Sequence, residues 1–258
     1  MNWRRLLPLL DLLIEVADAR LPCGSRNPRL LAAAAGKARL LILNKADLAD
    51  PALTVAWCRF LERCEGVPVL PLAALSGKGL RALERRLAVL AAAKERRRPL
   101  RAVVVGIPNV GKSTVINHLV GRKAAATGAV PGITRGLQWV RLRPGLELLD
   151  TPGHLPTARS IPAWQLTAVG AVRADAEASL EAAEALLAAL IPRHGRSIAA
   201  CYGLEAPFSL SDIARKRGLL SRGGTPDLLR AATLVLRDFS RGKWGRITLE
   251  EPPVLPDQ

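Results

Sequence analysis

The stretch Gly106-Ile107-Pro108-Asn109-Val110-Gly111-Lys112-Ser113 decides the fold. Its spacing is G-x-x-x-x-G-K-[ST], and it stands between the apolar run Ala102–Val105 and the helical pattern Ser113–Leu119. Two glycines allow backbone N–H groups to approach an anion closely, and the start of a helix points its positive dipole end at that anion. With strand, spacing, lysine and serine all present, the pattern predicts a phosphate-binding loop rather than a simple turn.

The residue types in this loop indicate a nucleoside triphosphate and Mg²⁺. Lys112 is expected to reach the β- and γ-phosphates and to neutralise charge during hydrolysis, and the Ser113 hydroxyl is expected to bind Mg²⁺. Further nucleotide contacts are assigned to Asn109, Val110, Gly111 and Thr114.

The tetrapeptide Asp150-Thr151-Pro152-Gly153 follows a second apolar run, beyond a hairpin signal at Pro144-Gly145. Asp150 is expected to hold Mg²⁺, directly or through water, and the Gly153 N–H to sense the γ-phosphate. Thr134 lies between the two motifs, where a threonine can complete the Mg²⁺ shell and order its loop when the γ-phosphate is present. A simple turn threonine is the alternative for Thr134.

A base site is predicted from Asn44-Lys45-Ala46-Asp47, which follows the apolar run Arg39–Leu43. The Asp47 carboxylate can accept hydrogen bonds from N1–H and the 2-amino group of guanine, a donor pair that adenine lacks. Lys45 can pack its stem over the base, and Asn44 can tie this loop to the phosphate loop. The backbone N–H of Ala74, in Ala73–Gly77, is expected to meet the guanine oxygen.

The order of these motifs is unusual, because both base loops precede the phosphate loop. We predict an α/β fold of the P-loop GTPase class, circularly permuted, with a mostly parallel six-stranded sheet flanked by helices. Residues 94–99 would join the ends of the unpermuted domain, since permutation is tolerated where termini lie close together. This domain is assigned to residues 1–157, and a small helical domain to residues 158–258.

Three helices are predicted in that second domain. They are expected at Ala174–Leu190, which Pro192 would end, at Ser209–Arg217 and at Pro226–Phe239.

The charge balance suggests a polyanionic partner. Lys and Arg outnumber Asp and Glu by 38 to 22, a net charge of +16, and RNA is the first candidate. Basic residues concentrate in Arg81–Arg101, and a second set lies in the C-terminal domain; the alternative is an ordinary solvated surface. No run of 18 apolar residues indicates a membrane-spanning helix, and the four cysteines form no Cys-x-x-Cys pair, so a zinc site is not expected. The cysteines also suggest no disulfide scaffold, so the protein is expected in the reducing cytoplasm. We further expect a monomer.

Several segments together resemble the circularly permuted GTPases of ribosome assembly, most closely the YlqF/RbgA type. The matching segments are VADARLP (16–22), SRNP (25–28), GIPNVGKST (106–114), PGIT (131–134), QWV (138–140), LELLDTPG (146–153) and KWGRITLEEP (243–252). The resemblance implies a GTP-hydrolysing factor in late maturation of the large (50S) ribosomal subunit. It implies contacts with precursor particles, rRNA and ribosomal proteins through a helical C-terminal domain, and K⁺-stimulated hydrolysis supported by Asn109.

Two departures from the family pattern concern hydrolysis. The family's Phe-Pro-Gly-His-Met segment, whose His is implicated in hydrolysis, does not occur in this sequence, and His154 stands where the family usually has an apolar residue. We expect His154 to orient the attacking water, with an exposed loop histidine as the alternative.

A rival function is an RNA-binding, ribosome-associated structural factor with weak or lost GTPase activity. Assembly of the small subunit is a third possibility, although the sequence shows neither the zinc module nor the OB module that related GTPases for that work carry.

Overall fold

The chain folds into two compact units. A computed structural model describes residues 6–28, 36–93, 98–121, 138–143, 145–150 and 161–253. The first unit comprises Met1–Ala158 with Glu250–Gln258, and the second comprises Arg159–Leu249. The division after Ala158 adjoins the boundary expected from the sequence. The segment from Glu250 onward, which the sequence pattern places in the C-terminal domain, is grouped by the structure with the first unit.

The first unit contains a six-stranded sheet, as predicted, in the order β3-β2-β1-β4-β6-β5. All neighbouring strands are parallel except β5 and β6, which form an antiparallel pair. The strands are β1 (Leu12–Asp18), β2 (Ala38–Asn44), β3 (Val69–Leu72), β4 (Leu100–Val105), β5 (Gln138–Arg143) and β6 (Leu146–Asp150).

The strands at the centre of this sheet are apolar along most of their length, as expected for strands covered on both faces. Every residue of β1 is buried, and so are the last five residues of β2. Asp18 at the end of β1 pairs in register with Asn44 at the end of β2. Parallel pairing therefore brings the loops that follow β1, β2 and β4 to one edge of the sheet, where ligands bind in such folds.

Within the described part of the first unit, α-helices follow three of these strands: α1 (Pro51–Glu65), α2 (Leu80–Ala93) and α3 (Lys112–Val120). Asp50 caps α1, since its side chain accepts a 2.8 Å hydrogen bond from Leu53 N, and Gly66 ends it in a left-handed conformation. α1 and α2 bury narrow apolar faces that include Trp57 and Leu83. The proposed junction at residues 94–99 lies mostly outside the described residues, between the end of α2 and the start of β4.

The second unit is helical, with α4 (Ala163–Ala168), α5 (Ala176–Tyr202), α6 (Leu210–Lys216) and α7 (Leu228–Ser240). The prediction that Pro192 ends α5 is wrong, because the helix continues through it to Tyr202. A proline removes one backbone donor and disfavours helix, but packing outweighs that cost here. The helix buries Leu186 and Leu190 before the proline and Ile198 after it. Among the described helices, none combines the length and apolar character needed to cross a bilayer.

Candidate nucleotide-binding site

The phosphate-loop glycines occupy positions that a side chain could not share. Gly106 has a φ of 151°, and a Cβ there would lie 2.3 Å from the carbonyl oxygen of Val16 on the neighbouring strand. Gly111, at φ 98°, is the N-cap of α3, and a Cβ there would lie 2.2 Å from Asn44 Nδ2. The glycines therefore allow this loop to lie directly against the strand β1 and the base loop.

The other loop residues complete a backbone turn before α3. Asn109 has a φ of 59°, a left-handed conformation that asparagine tolerates better than most residues, and its side chain is exposed. Val110 is buried beneath the loop. Ser113 is exposed and Thr114 is partly buried in the first turn of α3. The first N–H groups of α3 and the positive end of the helix thus stand at the predicted phosphate site.

Lys112 is held against its own loop. Its Nζ donates a 2.7 Å hydrogen bond to the carbonyl oxygen of Ile107. Burial lowers the pKa of this ammonium group below 10.5, because a cation that is removed from water loses part of its stabilising hydration. A nearby polyphosphate would replace that stabilisation, so the residue predicted to grip phosphate is placed where an anion would stabilise its charge.

Asn44 joins the base loop to two other loops. Its side chain is buried, and its Nδ2 donates a 2.8 Å hydrogen bond to the Val110 carbonyl. Its Oδ1 accepts a 3.0 Å hydrogen bond from Ala74 N. One amide group therefore connects the phosphate loop to both loops that were predicted, from sequence, to contact the base.

The base loop holds Lys45 and Asp47 differently. Lys45 has a φ of 61°, and its Nζ lies 2.9 Å from Asp18 Oδ2. Ala46 N donates to Leu72 O at 3.0 Å, which ties the loop to the end of β3. Asp47 is exposed at the tip of the turn, so its carboxylate is accessible to a ligand.

The Ala74 amide is already engaged in the structure. Because it donates to Asn44 Oδ1, a contact with guanine O6 would have to compete with that buried hydrogen bond. No group of the described residues accepts a hydrogen bond from the next amide, that of Leu75, a residue that is 89% exposed. The Leu75 amide is therefore an alternative donor to guanine O6, one residue after the predicted Ala74. The assignment of the Ala74 amide to guanine O6 stays a prediction.

The Mg²⁺ side of the site is described only in part. Asp150 is the last residue of β6, the strand beside β4, so its backbone lies at the same edge as the phosphate loop. Serine hydroxyls and carboxylates are hard oxygen ligands of the kind that Mg²⁺ prefers, so Ser113 and Asp150 remain the predicted ligands. Thr134, Gly153 and His154 lie outside the described residues.

A buried ion cluster beside the base loop was not identified as part of the site from sequence. Asp18 is fully buried and accepts hydrogen bonds from Arg20 Nε at 2.9 Å and Arg20 NH2 at 2.8 Å. Burial by itself would raise the pKa of Asp18, but the charges of Arg20 and Lys45 outweigh it and hold that pKa below 3.8. The available signal was the Asp-Ala-Arg sequence that begins at the last residue of a mostly apolar strand.

Comparison with known proteins agrees with this geometry. Residues 101–198 match the family described as 50S ribosome-binding GTPase. Ribosome biogenesis GTPase A of Bacillus licheniformis is 35% identical over 261 residues, which cover 95% of this chain and 92% of that protein. The Thermotoga maritima protein of the same name is 36% identical over 266 residues, covering 98% and 92%.

Solved structures extend the likeness to the fold. The GDP-bound structure of YlqF aligns with a TM-score of 0.68 at 31% identity, covering 98% of this chain and 99% of that one. The GNP-bound structure of YlqF from Thermotoga maritima aligns with a TM-score of 0.67. Sequence identity over nearly the full length, together with the permuted P-loop sheet, shows that this chain belongs to the Ribosome biogenesis GTPase A family of YlqF/RbgA type.

Proposed function

We propose that this GTPase binds and hydrolyses GTP while acting, as a monomer, in late maturation of the large ribosomal subunit. The observation that carries the proposal is the buried Asn44 amide, which couples the phosphate loop to the guanine loops. Its relatives' names support a role in ribosome assembly. The alternative function, an RNA-binding structural factor with weak or lost GTPase activity, is not favoured, because the phosphate loop contains both the lysine and the serine.

Guanine recognition in this proposal uses three groups. The exposed Asp47 carboxylate accepts from N1–H and the 2-amino group, and the Lys45 stem covers one face of the base. The Leu75 amide, rather than that of Ala74, donates to O6. Adenine offers neither the donor pair nor the O6 acceptor, so the site discriminates by leaving its own polar groups unpaired with the wrong base.

Hydrolysis proceeds by in-line attack of water on the γ-phosphate. Lys112 leaves the Ile107 carbonyl and binds the β- and γ-phosphates, while backbone N–H groups of the loop stabilise the charge that develops. Ser113, Asp150 and Thr134 would hold Mg²⁺, which neutralises phosphate charge when bound. A K⁺ ion beside the exposed Asn109 would add to that neutralisation.

His154 is proposed to orient the attacking water, and Gly153 to sense the γ-phosphate. Replacing His154 with Ala should lower the single-turnover rate of hydrolysis at least about 10-fold while leaving the dissociation constant for GTP unchanged. His118, on α3, offers the matched control, because its replacement should leave both values unchanged. Hydrolysis by the His154→Ala protein at the original rate would refute the assignment.

Basic residues of both units are proposed to contact rRNA. Arg81 and Arg85 are exposed on α2, and Arg215 and Lys216 are exposed at the end of α6. Cations of this kind neutralise backbone phosphates, which makes binding strongly dependent on salt. Arg217 is less available, since its guanidinium lies over the Tyr202 ring at 5.4 Å.

The decisive experiment is co-sedimentation of the purified protein with large and small ribosomal subunits, in GDP and in a non-hydrolysable GTP analogue. Association with large-subunit precursors that depends on the nucleotide supports the proposal. Equal association in both nucleotides, or association with small subunits alone, would contradict it.

A further inference from the structure

A buried carboxylate stands directly behind the base loop. Asp18 ends β1, and its Oδ2 receives both Arg20 NH2 at 2.8 Å and Lys45 Nζ at 2.9 Å. The side chain of Asp18 is 1% exposed, whereas that of Lys45 is 24% exposed. Two cations therefore contact one buried carboxylate, and the more accessible of them, Lys45, belongs to the base loop.

Lys45 is not needed to satisfy this carboxylate. Arg20 alone pairs with it through both oxygens, and the Arg20 backbone N–H adds a third bond at 3.0 Å. A bidentate arginine is the strong partner for a buried carboxylate. Holding the flexible lysine side chain as well costs conformational entropy without being required for burial, so the contact is better explained by what it does to Lys45.

The anchor itself is rigid. Asp18 N donates to Ser25 Oγ at 2.8 Å, and Ala19 N donates to Asn44 O at 2.7 Å. The first bond closes the turn that follows β1, and the second joins that turn to the end of β2. The carboxylate is thereby placed by the same backbone that carries the base loop.

The other end of Lys45 is also held. Its backbone has a φ of 61°, Leu48 N donates to its carbonyl at 2.9 Å, and Ala46 N is bonded to Leu72 O. With the backbone and the ammonium group both tied, the four-carbon stem between them has little freedom. A preset stem loses less entropy when a ring packs against it than a free one does.

We propose that Asp18 is a positioning residue for guanine binding, which anchors the Lys45 ammonium group so that the lysine stem is preset as one wall of the base pocket. The inference rests on the proposed function and adds a residue outside the base loop to it. Asp18 touches neither phosphate nor base in this account and acts through Lys45 alone.

The test is a double-mutant cycle on the full chain, with the dissociation constant for GDP measured by calorimetry. Asp18→Asn and Lys45→Met should each weaken GDP binding about 10-fold, and the double variant no more than either single variant. Lys45→Met leaves the Asp18–Arg20 pair intact, so it keeps the test informative if Asp18→Asn does not fold.

Two further readouts separate positioning from general damage. Pyrophosphate binds to the phosphate loop alone and competes with GTP. Its inhibition constant for GTP hydrolysis should therefore be the same in the folded variants as in the wild type. Glu15→Gln is the matched control: Glu15 is also buried on β1 and paired with an arginine, Arg26, at 2.8 Å, and its replacement should leave GDP binding unchanged.

Three results would overturn the inference: wild-type GDP affinity in Lys45→Met, a further 10-fold loss on adding Asp18→Asn to Lys45→Met, or an equal loss of pyrophosphate binding. Absence of GDP binding by the wild-type protein would instead refute the proposed function.

Discussion

Replacing Gly111 with Ala should show how the phosphate loop and the base loop depend on each other. The new Cβ would lie 2.2 Å from Asn44 Nδ2, far inside van der Waals contact, so one of the two residues must move. Gly111 is the N-cap of α3 and its backbone is fixed by that position, whereas Asn44 can rotate its side chain. Rotation would break the hydrogen bonds to Val110 O and from Ala74 N.

The magnitude follows from these contacts. Leaving two buried polar groups unpaired costs about 1–3 kcal/mol each, or about 2–6 kcal/mol together. A φ of 98° adds about 1–2 kcal/mol of backbone strain for a residue with a Cβ. The free energy of unfolding of Gly111→Ala should therefore fall by about 3–8 kcal/mol, a large fraction of the stability of a domain.

The assay is equilibrium denaturation by guanidinium chloride, followed by fluorescence, for Gly111→Ala, Asn44→Ala and the double variant. In the Asn44→Ala background only strain remains, so adding Gly111→Ala should cost about 1–2 kcal/mol. Gly66→Ala is the matched control: it also has a positive φ of 63°, but nothing lies within 4 Å of its Cβ, so it should cost about 1–2 kcal/mol in either background.

Additivity would refute this reasoning. If Gly111→Ala costs as much in the Asn44→Ala protein as in the wild type, the clash does not act through Asn44. A cost equal to that of Gly66→Ala in the wild type would show that the loop accommodates the methyl group by shifting its backbone.

Three further predictions concern the first unit. Glu65→Gln should lower the free energy of unfolding by about 1–3 kcal/mol at pH 7, because it weakens charged hydrogen bonds with Arg26. Although burial opposes ionisation, its arginine partners hold the folded pKa of Glu65 below 4.5, so this stability is present above pH 4.5 and the difference from wild type should shrink in denaturation curves at lower pH. Glu250→Ala removes a carboxylate that accepts two backbone N–H groups, at 2.7 and 2.9 Å, and should destabilise the first unit by about 3 kcal/mol without changing α-helical circular dichroism; an unchanged denaturation midpoint would contradict the role of this contact. Burial raises the pKa of Cys58 to about 11, so with a thiol reagent at pH 8 it should react at least about 100-fold more slowly than exposed Cys64, and similar rates for both would be inconsistent with the structure.

The fold could be predicted because its signals are local. The phosphate loop needs two glycines, a lysine and a hydroxyl at fixed spacing between a strand and a helix, and Gly106 and Gly111 occupy backbone positions that require glycine. The permuted order was also evident, since sheet pairing depends on which strands bury each other and not on the order in which the chain visits them. The sheet order and the antiparallel edge formed by β5 confirm that prediction.

The partners of polar side chains could not be predicted in the same way. A sequence shows that the Asn44 side chain can both donate and accept, but not that it would donate to Val110 O and accept from Ala74 N. Pro192 inside α5 is a similar case, in which burial on both sides of the proline outweighed a local preference.

What the sequence by itself determined was the set of chemical groups, their local backbone geometry and the family. What only the tertiary structure decided was which distant groups meet: Asp18 with Lys45, Asn44 with Val110, and Glu250 with the turn after β1. The physical reason is the separation along the chain over which each kind of interaction acts. Turn, cap and helix preferences act over a few residues, whereas a buried hydrogen bond between residues far apart in the chain exists only after the whole sheet has packed.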